Sequence, residues 1–122
     1  YKYLLKEIIS YFRKSITIAT SEGIKKNRII IDPGIGFGKI RKHNLKILQK
    51  LQEFQCLGFP ILIGTSRKRF IGDILKAPVH ERLYGTLATV AVAVMNGAHI
   101  VRVHDVSETV HVIKICDAIR NC

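Results

Sequence analysis

The sequence has few acidic residues, few cysteines and no long hydrophobic run. Its 122 residues include 9 Asp and Glu against 20 Lys and Arg, and only 3 Cys. No stretch approaches the roughly 20 consecutive apolar residues of a membrane-spanning helix, so the sequence predicts no contact with a membrane. Charged residues follow directly on the first five positions, where a signal peptide would need an apolar core, and we therefore expect no secretory leader.

The three cysteines, Cys56, Cys116 and Cys122, are widely separated and show no CxxC spacing. An odd number of such thiols argues against a disulfide framework and against a zinc site. We expect these cysteines to be buried or incidental, in a protein of the reducing cytoplasm.

The excess of basic residues gives a formal net charge of +11. This charge is compatible with a solvated, lysine-rich surface or with a field that attracts phosphorylated substrates or nucleic acid. A basic nucleic-acid-binding module is thus an alternative function, although no known nucleic-acid-binding motif accompanies the charge.

Hydrophobic residues make up 48% of the chain, which is typical of a packed globular domain, and their spacing alternates between helical and strand patterns. Such alternation favours an α/β fold with a parallel sheet, either an open doubly wound sheet or a (β/α)8 barrel. A complete barrel has eight strands and about 250 residues, so this chain would supply roughly half of one. The predicted helices cover 2–22, 43–56, 69–75, 81–96 and the residues after a Ser107 cap; the predicted buried strands cover 29–31, 60–64 and 99–104.

The helix predicted between Leu83 and Met95 is apolar almost all round. A helix on the outside of a barrel needs only one buried face. The second apolar face predicts contact with another subunit, and the alternative is that small Ala and Thr residues are tolerated in solvent.

Polar side chains follow all three predicted strands at the point where each strand ends. They are Asp32, the run 66–68 (Ser-Arg-Lys), and the run 102–105 (Arg-Val-His-Asp). Because the carboxyl ends of parallel strands share one edge, these groups should meet at one rim, where α/β folds bind their ligands. Arg102 and His104 are two apart and should face the same side, where with Lys68 they would form an anion pocket.

Each of these residues also has an ordinary structural role available. Asp32 could cap the Pro-Gly turn that follows it, or accept hydrogen bonds from a donor-rich ring. Lys68 could be a solvated loop lysine or a donor to a ring carbonyl or carboxylate, and a lone His104 would more often be structural.

The glycine-rich run of residues 34–39 does not match the common phosphate-binding loops. A P-loop would need a glycine at Pro33 and a Ser or Thr at Ile40, and the GxGxG spacing differs from the GxGxxG of dinucleotide-binding folds. We reject both interpretations.

Four motifs together resemble those of the dihydropteroate synthases. DPGIGFGK at 32–39 with His43-Asn44 resembles the family's DPGxGFGK…HN signature, and GTSRK at 64–68 is similar to its GxSRK motif. Glu81-Arg82 with Gly85-Thr86 resembles its ER..GT helix start, and RVHD at 102–105 its RVHD strand. The motifs occur in the family's order, and the resemblance spans essentially the whole chain.

This resemblance implies the C-terminal portion, residues 1–122, of a single pterin-binding (β/α)8 barrel domain. It implies a transferase that joins 6-hydroxymethyl-7,8-dihydropterin pyrophosphate to p-aminobenzoate, giving dihydropteroate and pyrophosphate. The implied pterin-binding residues are Asp32, Gly36, Gly64, Lys68 and Arg102. The p-aminobenzoate pocket, which sulfonamides occupy, would be formed by Phe37, Ser66 and Lys68. The pyrophosphate would be bound by Arg102 and His104. The catalytic residues would be Asp32, Lys68, Arg102 and His104.

The resemblance also implies a homodimer and Mg²⁺, bound through the substrate pyrophosphate and through the family's N-terminal half. That half is absent here, so no metal ligand is expected in this chain. We expect the 122 residues alone to be inactive and their open strand edges to promote association. The nearest alternative enzyme is the pterin-binding domain of a methyltetrahydrofolate-dependent methyltransferase, which has no pyrophosphate and so no use for a cluster of Lys68, Arg102 and His104.

Overall fold

A computed structural model of the chain describes residues 3–38 and 40–122. Two of the predicted positions, Lys2 in the first helix and Lys39 in the glycine-rich motif, lie outside these residues. The described part contains five α-helices and two short strands: α1 Leu4–Ser21, α2 Arg41–Gln49, β1 Leu62–Ile63, α3 Arg69–Leu75, α4 Leu83–Met95, β2 Ile100–Val101 and α5 Val106–Arg120. Short 3-10 helices lie at Lys26–Arg28, Leu51–Leu57 and Val79–Glu81.

The strands form a parallel sheet with helices between them along the chain. Leu62 of β1 lies opposite Ile100 of β2, and Ile63 opposite Val101. On the other side of β1, Ile31 forms a single parallel bridge with Ile61. The order across the sheet is therefore the Ile31 segment, β1 and β2, which confirms the predicted α/β class with parallel strands.

The predicted first strand over 29–31 is wrong in its extent. Only Ile31 pairs, donating its N–H to the Pro60 carbonyl at 2.9 Å and accepting from the Leu62 N–H at 2.7 Å. Ile30 is 53% exposed, so this segment is not buried on both faces. Among the described residues no strand lies on its outer side, and pairing on one side alone supports one bridge instead of a strand.

Most of the core lies between the sheet, α1 and α2. Ile47, Leu51, Phe54 and Ile61 are completely buried there. The Phe54 ring meets the Phe12 ring of α1 edge-on, with 6.1 Å between their centroids. This contact joins α1 to the 3-10 helix Leu51–Leu57.

A second, smaller apolar cluster lies between α4 and α5. Val90 and Cys116 are buried in it, and Val101 and Val103 pack against it from the sheet. The predicted alternation in this strand is thus confirmed: the valines face the helices, while Arg102 and His104 face the other side.

The predicted helix over 43–56 is interrupted. α2 ends at Gln49, and the chain continues as the 3-10 helix Leu51–Leu57. The side-chain amide of Asn96 donates to the carbonyls of Leu48 and Gln49, at 2.9 and 3.4 Å. Those carbonyls are the ones that a continuing helix would use, so a side chain from the end of α4 terminates α2.

The start of the last helix also differs from the prediction. α5 begins at Val106 with Asp105 in the capping position, and Ser107 lies inside the first turn with no capping role. The Asp105 carboxylate makes no capping bond because it pairs with Arg67 at 3.0 Å.

The helix α4 buries one face and exposes apolar side chains on the rest. Val90, Ala93 and Val94 are buried, whereas Val92 and Met95 are nearly half exposed and Tyr84 is 84% exposed. The contact of this second face with another subunit stays a prediction. None of the helices in residues 3–38 and 40–122 has the length and hydropathy that crossing a membrane requires.

Replacing Thr109 with valine should leave the chain equally stable or stabilise it. Thr109 on α5 is 2% exposed, and its hydroxyl has no hydrogen-bond partner among the described residues. Removing a buried, unpartnered hydroxyl while keeping the shape should raise the free energy of unfolding by up to about 1 kcal/mol. Urea unfolding measures this, with Thr86→Val as the matched control, since the buried Thr86 hydroxyl accepts from the Arg67 N–H at 3.0 Å. Equal destabilisation by both changes would contradict the account.

Candidate active site at the carboxyl ends of the strands

A cleft of about 600 Å³ opens where the strands end. Seven of the eight predicted site residues line it; the eighth, Gly36, lies in the adjoining cleft, which Lys68 also borders. The predicted residues that line the first cleft are Asp32, Phe37, Gly64, Ser66, Lys68, Arg102 and His104.

A larger cleft of about 830 Å³ lies at the opposite end of the strands, beside Ile29 and Pro60. Ligand sites in parallel α/β folds lie at the carboxyl ends, because the loops there follow the strands and carry the variable polar groups. The cleft of about 600 Å³ at the carboxyl ends of the strands is therefore the candidate site.

Asp32 has the capping role that its position suggested and also pairs with Arg102, while its hydrogen bonding to a donor-rich ring stays a prediction. One carboxylate oxygen, Oδ1, accepts the Gly34 N–H at 2.8 Å and so caps the Pro-Gly turn. The other, Oδ2, lies 3.3 Å from Nη1 of Arg102. The turn holds the carboxylate in place while Oδ2 faces the cleft.

The guanidinium of Arg102 lies against the backbone of Gly64. A Cβ atom at position 64 would lie 2.5 Å from Nη2 and 2.9 Å from Cζ of Arg102. A side chain at 64 would displace the guanidinium, so glycine lets the guanidinium lie across the end of β1. The planar group is thereby exposed to the cleft, next to Asp32.

Ser66 and His104 form a short hydrogen-bonded pair. The Ser66 Oγ lies 2.6 Å from His104 Nδ1, and it accepts the backbone N–H of His104 at 3.1 Å. Because the pair engages Nδ1, the ring presents Nε2 as its other polar atom. Ser66 therefore fixes the orientation of the imidazole.

Lys68 lies over the ring of Phe37, with 4.1 Å between Nζ and the ring centroid. This cation–π contact joins the glycine-rich loop to the loop after β1. A Cβ at Gly36 would lie 3.0 Å from Lys68 Cδ, and Gly36 has a φ of 84°. Glycine is needed at 36 both for the backbone conformation and for the stem of Lys68.

Asn44 is a functional candidate to which sequence reasoning gave no role. It is 2% exposed, and its side-chain oxygen accepts the Gly36 N–H at 2.9 Å. Its position in the His-Asn motif after the glycine-rich loop was the available signal. The buried amide holds the middle of the glycine-rich loop, next to Phe37.

Replacing Asn44 with alanine should destabilise the chain and loosen the loop of residues 34–38. The change leaves the Gly36 N–H without its acceptor, which should cost about 1–3 kcal/mol of unfolding free energy. Urea unfolding and amide hydrogen exchange at Gly36 measure the two effects. The exposed Asn121, replaced by alanine, is the control. Unchanged exchange at Gly36 in Asn44→Ala would show that the loop does not depend on this bond.

The described residues offer no ready-made metal centre. In 3–38 and 40–122, no group of three or more His, Cys, Asp or Glu side chains could hold a metal ion. Asp32 carries the carboxylate that lines the cleft, and both of its oxygens already have partners. Magnesium prefers several oxygen ligands, so these residues by themselves do not fit a Mg²⁺ site.

The sheet, the helices that follow its strands and the cationic cleft at the strand ends define part of a parallel α/β fold with a candidate ligand site at the usual edge of the sheet. The sequence profile of the family described as "pterin binding enzyme" matches residues 1–104. The chain belongs to this family.

Comparison with curated proteins gives the dihydropteroate synthases of Bacillus subtilis and Escherichia coli as similar to this chain. They are 46% and 43% identical to it over 121 and 118 residues. The matches cover 99% and 97% of this chain but only 42% of each relative. The chain therefore spans less than half the length of these relatives.

Solved structures of dihydropteroate synthases superpose closely. The crystal structure of the Yersinia pestis enzyme has a TM-score of 0.96 and 40% identity, covering 98% of this chain and 56% of the other. The Coxiella burnetii enzyme, solved in complex with pteroic acid, has a TM-score of 0.95 and 42% identity, covering 98% and 46%. These likenesses confirm the predicted family resemblance and the barrel fold.

Proposed function

We propose that this chain supplies the C-terminal half of a dihydropteroate synthase. The enzyme would join 6-hydroxymethyl-7,8-dihydropterin pyrophosphate to p-aminobenzoate. The observation that carries the proposal is the meeting of Asp32, Lys68, Arg102 and His104 in one cleft at the strand ends. The extent of identity to dihydropteroate synthases adds to it.

The pterin ring would lie with its N–H edge at Asp32 and its face against the Arg102 guanidinium. Asp32 Oδ2 accepts hydrogen bonds, and a pterin presents several N–H donors along one edge. Arg102 offers a flat, cationic face on which an aromatic ring can stack. Gly64 and Gly36 leave room beside the guanidinium and the Lys68 stem, and Lys68 would donate to the ring.

The pyrophosphate would bind where Arg102 and His104 meet. In the reaction the C–O bond between the pterin methylene and pyrophosphate breaks, and the electron pair leaves with pyrophosphate. Positive groups at that point stabilise the charge that develops on the leaving oxygen. Arg102 supplies a permanent charge there, and His104, oriented by Ser66, presents Nε2.

The p-aminobenzoate would lie beside Phe37, Ser66 and Lys68, and sulfonamides would compete for this place. Phe37 is an exposed aromatic ring that can cover another ring, and Lys68 above it can pair with a carboxylate. The amine nitrogen would attack the methylene carbon of the pterin, forming a C–N bond and releasing one proton. Holding the two rings so that the amine nitrogen faces the methylene carbon supplies much of the rate enhancement.

Magnesium would act through the substrate. The described residues do not form a Mg²⁺ site, and we assign the ion to the pyrophosphate oxygens and to residues of the rest of the barrel.

The rest of the barrel is needed for activity. The segment of Ile31 and β2 lie at the two edges of the described sheet, and a closed barrel pairs both edges. We expect the isolated 122 residues not to turn over substrate.

The working enzyme would be a cytoplasmic homodimer that uses the exposed apolar face of α4 as its subunit interface. Sedimentation velocity of the assembled enzyme, with and without Val92→Lys, tests the dimer.

The experiment that tests the function uses a chimeric enzyme, in which this chain replaces the matching segment of the B. subtilis relative. Calorimetric titration with pteroic acid measures binding at the pterin and p-aminobenzoate places. Titration with inorganic pyrophosphate in the presence of Mg²⁺ measures binding at the pyrophosphate place. We expect both to bind. Binding of pteroic acid without any binding of pyrophosphate would instead support a pterin domain of the methyl-transferring kind, and tight binding of generic oligonucleotides would support a nucleic-acid module.

A further inference from the structure

The loop of residues 65–68 between β1 and α3 holds an unfavourable backbone conformation. Arg67 has a φ of 57°, in the left-handed region that non-glycine residues rarely adopt. Its neighbours Ser66 and Lys68 both line the cleft, while the Arg67 side chain pairs with Asp105 at 3.0 Å. The left-handed turn at Arg67 is thus what directs residues on both sides of it into the site.

A side chain outside the cleft holds this turn. Arg82, just before α4, donates from Nη1 to the Arg67 carbonyl at 2.9 Å and from Nε to the Ala77 carbonyl at 3.0 Å. One half-buried guanidinium thereby ties the loop to the connection between α3 and α4. Thr86, one turn further along, accepts the Arg67 N–H at 3.0 Å. Both backbone groups of Arg67 therefore have partners on or just before α4.

The space for Arg82 depends on a glycine in α3. A Cβ at Gly72 would lie 2.3 Å from Nη2 and 2.4 Å from Cζ of Arg82. Gly72 is buried and helical, a place where glycine itself is unfavourable. Its presence is explained by the guanidinium that lies on it.

We propose that Arg82, seated on Gly72 and assisted by Thr86, is a positioning residue of the active site. It sets the left-handed turn at Arg67 and so places Ser66 and Lys68 in the cleft. It does not touch substrate. The proposal rests on the proposed function for its effect on catalysis, but its structural part stands by itself.

The structural part is tested by amide hydrogen exchange of residues 65–68 in the 122-residue chain. Arg82→Gln removes both hydrogen bonds, and we expect exchange in the loop to become about tenfold faster or more. Arg69→Gln is the control: it removes the same charge from the same region, but its side chain is 91% exposed and makes only a 3.9 Å pair with Asp73. If Arg82→Gln does not fold, Thr86→Val, which removes the acceptor for the Arg67 N–H, takes its place.

The variant Gly72→Ala gives an independent test, because helix propensity and displacement of the Arg82 guanidinium predict opposite effects. Helix propensity alone predicts that alanine stabilises α3. Displacement of the guanidinium predicts that Gly72→Ala speeds exchange in residues 65–68 as Arg82→Gln does. Unchanged loop exchange in Arg82→Gln and in Gly72→Ala overturns the proposal.

The catalytic part is tested in the chimeric enzyme. We expect kcat/KM to fall at least about tenfold in Arg82→Gln and Gly72→Ala, with Arg69→Gln unchanged and melting temperatures compared alongside. Faster loop exchange with unchanged kcat/KM would overturn the positioning role. An inactive unsubstituted chimera would count against the proposed function, and loop exchange would then decide the positioning proposal alone.

Discussion

Gly64→Ala is expected to weaken the binding of pteroic acid to the chimeric enzyme by about 100-fold or more, which corresponds to about 2.7 kcal/mol. The added methyl would lie 2.5 Å from Nη2 of Arg102, so the guanidinium must leave its place across the end of β1. Its pairing with Asp32 and the flat face offered to the pterin are lost together. Calorimetric titration measures the effect.

The control for this prediction is a double-mutant cycle with Arg102→Ala. If the clash with the guanidinium is the cause, alanine at 64 should do little further harm once Arg102 has been truncated. Equal losses from Gly64→Ala in both backgrounds would show that the methyl acts on the ligand or on the strand itself.

Arg102→Ala is expected to lower kcat/KM of the chimeric enzyme by about 1,000-fold. The change removes a permanent positive charge at the leaving pyrophosphate, and groups of this kind typically contribute factors of about 100–1,000. It also leaves Asp32 Oδ2 without its 3.3 Å partner. A steady-state assay of pyrophosphate release measures the loss.

Arg69→Ala is the matched control for Arg102→Ala, because it removes the same charge from an exposed position on α3. Arg69 borders the adjoining cleft, but its side chain is 91% exposed and makes only a 3.9 Å pair with Asp73, so kcat/KM should stay within about twofold. A loss in Arg69→Ala as large as that in Arg102→Ala would show that the overall positive field matters and that the position of the guanidinium does not.

The meeting of the candidate site residues in one cleft could be predicted from the sequence because a general rule applied to them. Parallel strands bring their carboxyl ends to one edge, so the polar residues that follow each strand had to meet. The alternation in the last strand placed Arg102 and His104 together and turned Val101 and Val103 toward the helices. The capping role predicted for Asp32 is confirmed, and hydrogen bonding of its other oxygen to a donor-rich ring stays a prediction.

The features that the sequence did not predict depend on partners far along the chain. α2 ends at Gln49 because Asn96, more than forty residues away, donates to its last carbonyls. The segment of 29–31 pairs at Ile31 alone, since a strand's extent depends on its neighbours as much as on its own residues. Asn44 and Arg82 act on backbone groups of Gly36 and Arg67, and such contacts leave no pattern in composition or periodicity.

Turnover by the chimeric enzyme decides whether this chain carries one half of a dihydropteroate synthase active site. The purified chimera is supplied with the pterin pyrophosphate, p-aminobenzoate and Mg²⁺, and the formation of dihydropteroate is followed by mass spectrometry. We expect product formation that is lost in Arg102→Ala and kept in Arg69→Ala. A folded chimera that binds neither substrate and forms no dihydropteroate would contradict it.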